Sequence, residues 1–119
     1  MEQEYIKGDI VMYDNRIHTI TDTLELNNYE LSYIRHQVNQ LELFGVPITP
    51  EILEKNGWKS INGKYTLKIK NANYLVLDFT EDCIYTYINE MTMLFVIKYV
   101  HKLQHLLFGL GLNSEMEVC

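Results

Sequence analysis

An α+β fold is what this sequence predicts, on three observations. Short stretches of alternating apolar and polar residues, each closed by a turn signal, recur through most of the chain. A helix start signal, Thr49-Pro50-Glu51, stands between two groups of these stretches. Residues 96–110 carry the longest run of apolar side chains at helical spacing. The expected order is a set of short N-terminal antiparallel strands, curled into a small barrel-like unit, then a short helix, an antiparallel meander and a C-terminal helix packed on the sheet. The 119 residues fit one domain, with a strand subdomain over about 5–45, the helix at 50–56 and the meander with the C-terminal helix over 58–112.

The first strand is expected over 8–13. Asp14-Asn15 turns the chain, and 16–23 alternates Ile17, Thr19 and Thr21 against His18, Ile20 and Asp22. After a break at Asn27-Asn28, 29–35 and 38–44 read as two further short strands. A unit of about 40 residues buries too little to stand alone, so it must lean on the rest.

Thr49 is a good N-cap, Pro50 occupies the first helical position where a missing N–H costs nothing, and Glu51 meets the positive end of the helix dipole. Ile52 and Leu53 pin this helix, and Asn56-Gly57 ends it. The meander follows. Asn62-Gly63 is a hairpin turn signal. Residues 64–70 alternate Tyr65, Leu67 and Ile69 against Lys64, Thr66, Lys68 and Lys70. The first set is expected to face the C-terminal helix, and the lysines are expected to be exposed. Strands over 74–80 and 83–88 come next. The stretch 91–95 reads either as one more strand or as the lead-in to the helix.

In the C-terminal helix, Val96, Tyr99, Val100, Leu103, Leu106, Leu107 and Leu110 share one face, and Lys98 and Lys102 lie opposite. Between them runs a stripe of Ile97, His101, Gln104, His105 and Phe108, too apolar and aromatic for a plain solvated surface. Gly109 and Gly111 supply the stop, and the tail after Leu112 is expected to fray.

Composition narrows the function. A net charge of −6 argues against general DNA coating, which needs a basic surface, but leaves room for a small anionic ligand held by a few lysines. Nine tyrosines suit half-exposed positions where the ring packs and the hydroxyl stays wet. The acidic start has no apolar signal region and no apolar run reaches 18 residues, so neither secretion nor a membrane span is expected. Cys83 and Cys119 are far apart; a disulfide is unforced, and a reduced cytoplasmic chain is the expectation.

Three segments carry a resemblance: Gly-Asp-Ile-Val-Met-Tyr-Asp-Asn-Arg-Ile at 8–17, Gly-Val-Pro-Ile-Thr-Pro-Glu-Ile-Leu-Glu-Lys-Asn-Gly-Trp at 45–58, and Ile-Lys-Tyr-Val-His-Lys-Leu-Gln-His-Leu-Leu at 97–107. In this order they resemble a group of small uncharacterised proteins encoded by phages and mobile elements of gut Bacteroides-type bacteria. Phe108-Gly109 departs from the Arg-Leu-Cys-like continuation of that group. The resemblance implies a phage context, the cytoplasm of an infected host and no agreed activity. Small phage proteins of this kind often act by binding host molecules.

The candidate chemistry is sparse. His101 and His105 stand four apart, as two metal ligands on a helix would, but Lys102 holds the place where a zincin has glutamate and no third ligand is visible. Packing at a boundary is their plainer reading. No histidine is placed beside Cys83 by the sequence, and no phosphate-cradling loop opens a helix; no cofactor is implied. His101, Gln104, His105 and Phe108, with Tyr99, Lys98 and Lys102, form the leading candidate surface: a homodimer interface, a cleft wall or core packing; a homo-oligomer, most simply a dimer with this helix at or beside its interface, is the expectation. Lys64, Lys68 and Lys70, with Tyr74 and Tyr85, form the second, able to meet phosphates and stack a base or to be a solvated sheet face. The leading expectation is a non-enzymatic binding protein that sequesters a nucleotide-like signal of host immunity. A protein-interaction module that masks a host or phage protein is the rival, and a small histidine-dependent hydrolase the third reading.

Overall fold

A computed structural model describes residues 4–89 and 92–118. The fold is α+β: among the described residues, ten strands form two antiparallel sheets, with two α-helices. The chain divides into two compact units. One joins the residues up to Pro47 to Tyr99–Met116, and the other holds Ile48–Lys98 and the last residues.

The first unit carries strands β1 (Ile10–Tyr13), β2 (Arg16–Thr23), β3 (Asn28–Leu31), β4 (Val38–Asn39) and β5 (Phe44–Gly45), ordered β4-β3-β2-β1-β5. The β1–β2 hairpin turns at Asp14 and Asn15, both at positive φ, as its turn signal requires. The expected strands over 29–35 and 38–44 are shorter than predicted. Tyr33 takes φ +64 just past β3, and Gln40–Glu42 winds into one 3-10 turn. That turn carries a capping box: the Asn39 side chain accepts from Leu41 N–H, and the Glu42 carboxylate accepts from Asn39 N–H. The core gathers Tyr5, Val11, Ile20, Tyr29, Leu31, Val38 and Leu43.

Helix α2 (Val100–Gly109) belongs to this unit and packs against β1. A C-terminal helix on a sheet is therefore found as expected, but it groups with the N-terminal strands and not with the meander. It also starts later than its apolar spacing suggested. Val96 and Ile97 end a strand, and Tyr99 is the N-cap residue. Thr92–Ile97 is rich in β-branched and aromatic side chains and pairs with a neighbouring strand, and that pairing overrides a helical spacing. Gly111, at φ +74, closes α2: its N–H bonds to Phe108 C=O, and Leu112 N–H bonds to Leu107 C=O at 2.9 Å. The tail does not simply fray, because Ser114 C=O accepts from the Gln104 amide.

The second unit begins with helix α1 (Pro50–Lys55), where Thr49 Oγ1 accepts from Ile52 N–H at 3.3 Å and Ile52 and Leu53 are buried. Strands β6 (Lys59–Ile61), β7 (Lys64–Lys68), β8 (Tyr74–Phe79), β9 (Ile84–Ile88) and β10 (Thr92–Ile97) follow in the spatial order β10-β9-β8-β7-β6. Asn62 and Gly63, at φ +52 and +79, make the expected hairpin turn. β7 stops two residues early, because Asn71 and Ala72 both take left-handed backbone and coil 70–72 into a turn. Lys70 therefore leaves the strand. Lys68 and Lys70 are exposed and Leu67 half-buried, so the register is as expected, although Lys64 is half-buried. β10 settles the open reading of 91–95 as strand over its described part; Met91 lies outside the described residues, as does Cys119 and with it any pairing to Cys83. A bulge in β10 is held by Thr86, fully buried, whose hydroxyl accepts from Phe95 N–H at 2.9 Å and donates to Phe95 C=O at 2.8 Å. Near the end of the chain, the Asn56 amide exchanges hydrogen bonds with the Glu117 backbone at 2.7 and 2.9 Å.

Candidate functional site

Helix α2 sorts the expected stripe into three roles. Gln104 is 4% exposed and structural: its Oε1 accepts from Ile10 N–H at 2.9 Å, and its Nε2 donates to Gly8 C=O at 3.0 Å and Ser114 C=O at 3.1 Å. One amide thereby satisfies the start of β1 and anchors the tail.

His101 is 1% exposed. Its Nε2 lies 3.3 Å from Glu4 Oε1, and Nδ1 has no hydrogen-bond partner among the described residues. The neutral ring with the proton on Nε2 fits this site, because it donates to Glu4 and leaves a lone pair unpaired in place of an N–H. Burial holds the imidazole below its usual pKa, opposed by the negative charge of Asp9 and the hydrogen bond to Glu4. Aromatic rings enclose it: Tyr99 stacks at 5.9 Å and 14°, and Tyr5 lies at 4.9 Å. The Tyr5 hydroxyl is pushed up to about 12 by burial and then by the charge of Glu4, so it stays protonated. Behind it, the buried Tyr29 hydroxyl donates to Gln40 Oε1 at 2.6 Å.

His105 is the half-exposed member, at 29%. Its Nε2 meets Oδ2 of Asp9 at 2.8 Å; that carboxylate is 2% exposed and also accepts from Ile6 N–H at 3.0 Å. The carboxylate only accepts, so the ring donates through Nε2–H. One turn further on, Phe108 stands 69% exposed. His105 and Phe108, with Lys7, Gln104, Ser114 and Glu115 among their neighbours, line a cleft of about 350 Å³.

The structure thus brings His105, Gln104 and Phe108 to one cleft and withdraws His101 into the core. Lys98 and Lys102 are exposed, and Tyr99 is half-buried over Gly45, where an added Cβ would lie 2.5 Å from its Cγ. The two histidine rings are 5.8 Å apart, yet each is bonded to its own acid. No group of three or more His, Cys, Asp or Glu side chains is placed to hold a metal ion among the described residues. Serine, histidine and aspartate do share the cleft. However, Ser114 engages it through its carbonyl, and no hydrogen bond joins its hydroxyl to His105 among the described residues. The sequence reading missed Asp9 and Glu4, because Gly8-Asp9 reads as the start of a strand and the partners lie 96 and 97 positions away.

The second candidate set splits differently. Lys68 pairs with Tyr74 across β7 and β8, and Lys64 lies on the same side of the pleat. Tyr85 pairs with Asp78, which shares the Tyr74 side of β8. Lys64, Lys68, Tyr74 and Tyr85 therefore occupy one face of the second sheet, and Lys70 is not on it.

No family model, no curated protein and no solved structure matches this chain. No helix among the described residues is long and apolar enough to cross a membrane.

Proposed function

We propose that this chain is a non-enzymatic binding protein whose α2 cleft takes a small nucleotide-like molecule, in the phage context its sequence resemblance implies. The observation that carries this reading is the His105 imidazole, fixed by buried Asp9 in a cleft beside the exposed ring of Phe108. A volume of about 350 Å³ falls within the range of small-ligand pockets. The Phe108 ring offers a stacking surface, the His105 imidazole a polar ring edge, and Lys7 a cation for a phosphate. The Gln104 amide is already spent on three backbone partners, so it lines the cleft without a free polar group to offer to chemistry.

The test is to incubate the protein with a panel of mononucleotides and cyclic oligonucleotides, remove the excess, denature it with heat and identify what is released. Unaltered nucleotide, lost in Phe108→Ala and His105→Ala, is the expected result. Altered nucleotide would replace binding by catalysis, and an empty protein would refute the reading. The rival, a protein-interaction module, is favoured by Met93, Phe95 and Val96, each more than half exposed on edge strand β10. The homodimer expected through the α2 stripe now rests on Phe108. Light scattering at tens of micromolar tests it, with Phe108→Asp restoring the monomer mass.

A further inference from the structure

The outer face of the second sheet has a composition its core face lacks. On the core face, Leu75, Leu77, Ile84 and Thr86 are 0–4% exposed. Alternation along the strands sends Tyr74, Val76 and Asp78 of β8 to the other side, with Tyr85 and Tyr87 of β9. The pairing extends this face in both directions, to Lys64 and Lys68 on β7 and to Met93 and Val96 on β10. Tyr74 is 43% exposed, Tyr85 and Tyr87 are half-buried, and Lys68 is exposed. Of the three phenol rings on these two central strands, Tyr74 stands in the open and Tyr85 and Tyr87 are half-buried beside Val76, itself 1% exposed; lysines flank them, and Asp78 is the acid among them.

We propose that this face binds single-stranded nucleic acid. Every base has a π-face, so a row of tyrosines stacks bases without regard to sequence. Tyr85 and Tyr87 are two residues apart on one strand, ~6.7 Å along it, enough to give each ring its own base. Lys64 and Lys68 lie to one side of the rings, where a backbone carrying phosphates would run while its bases lie on the tyrosines. Duplex is excluded by the same geometry, because its bases are already stacked on one another. The chain's charge of −6 does not oppose this. Residues 48–98 contain six lysines and six acids and are neutral, so the negative excess lies in the rest of the chain. This surface shares no residue with the α2 cleft, so the two proposals stand or fall separately.

The test is fluorescence anisotropy of the full chain with a labelled oligothymidylate, an oligouridylate and a duplex of equal length, over a range of salt. Binding to the single strands and not to the duplex is expected, weakening as salt rises. Tyr87→Ala should weaken it about tenfold, the value of one base stacked on a ring. Tyr74→Ala, at the more exposed position, should do the same without risk to folding, with buried Trp58 fluorescence as the check. Lys68→Gln should lower the salt slope by about 0.7. Absence of binding at low salt, equal binding to duplex, or a loss in Lys68→Gln with none in either tyrosine variant would each overturn the proposal. Phe108→Ala should leave this binding unchanged.

Discussion

Replacing Gln104 with methionine removes three hydrogen bonds while keeping the length of the side chain. Gln104 is 4% exposed and the Ile10 amide it holds belongs to a residue 5% exposed, so water does not readily replace the lost partner. Each bond contributes about 1 kcal/mol net, which puts the loss at about 3 kcal/mol, and an orphaned Ile10 N–H adds its own desolvation cost. The chosen residue minimises any cavity contribution, so the number reports polar satisfaction and not packing. Urea unfolding followed by far-UV circular dichroism measures the total. Native-state hydrogen exchange at the Ile10 amide localises it, because that N–H loses its acceptor. Trp58 lies in the other unit and reports separately on Ile48–Lys98. A loss below about 1 kcal/mol, or an Ile10 amide as protected as before, would refute the assignment of Gln104 as the group that closes the start of β1.

Three further outcomes follow from the same reasoning. Thr49→Ala should cost about 1 kcal/mol in urea unfolding read by Trp58 fluorescence, since it removes the acceptor for Ile52 N–H at the start of α1. Gly45→Ala should destabilise the N-terminal unit by at least about 1 kcal/mol, read by circular dichroism, because the new methyl falls 2.5 Å from the Tyr99 ring; Gly45→Ala with Tyr99→Leu should recover part of the loss. His101 should make the protein less stable in acid. Its folded pKa is depressed by burial, so its contribution is full above the unfolded value of ~6.5 and is lost as pH falls from there to the folded value. The urea midpoint should fall over that window, and His101→Gln should flatten the fall; identical pH profiles would show that His101 does not set it.

Local signals in the sequence resolved well and long-range ones did not. Thr49-Pro50-Glu51, Asp14-Asn15 and Asn62-Gly63 each encode their geometry within a few residues, and each element stands where it was expected. The Asn39–Glu42 capping box was equally local but lay hidden in an alternation that reads as strand. Val96 and Ile97 show the limit of periodicity: an apolar run fits helix and strand alike, and pairing with β9 decides. The candidate site was legible by half. The stripe on α2 was found, but which of its members faces a cleft depends on Asp9 and Glu4. No local pattern links residues so far apart.

The crossing between the units has a consequence for synthesis. Pro47 and Tyr99 form an antiparallel bridge, and Val100 N–H bonds to Val46 C=O at 2.8 Å, so the chain leaves the N-terminal unit and returns to it at adjacent points. Residues 48–98 are thus inserted between the two halves of the first unit, and the last residues of the chain join them. On a ribosome adding ~5–20 residues per second, the first five strands emerge and wait about 3–13 seconds for the helix that completes them. The inserted sheet has no such delay and can form as soon as Lys98 clears the exit tunnel. The nascent strands are therefore the stretch most exposed to chaperones and proteases, and codon speed across the insertion sets the length of that exposure.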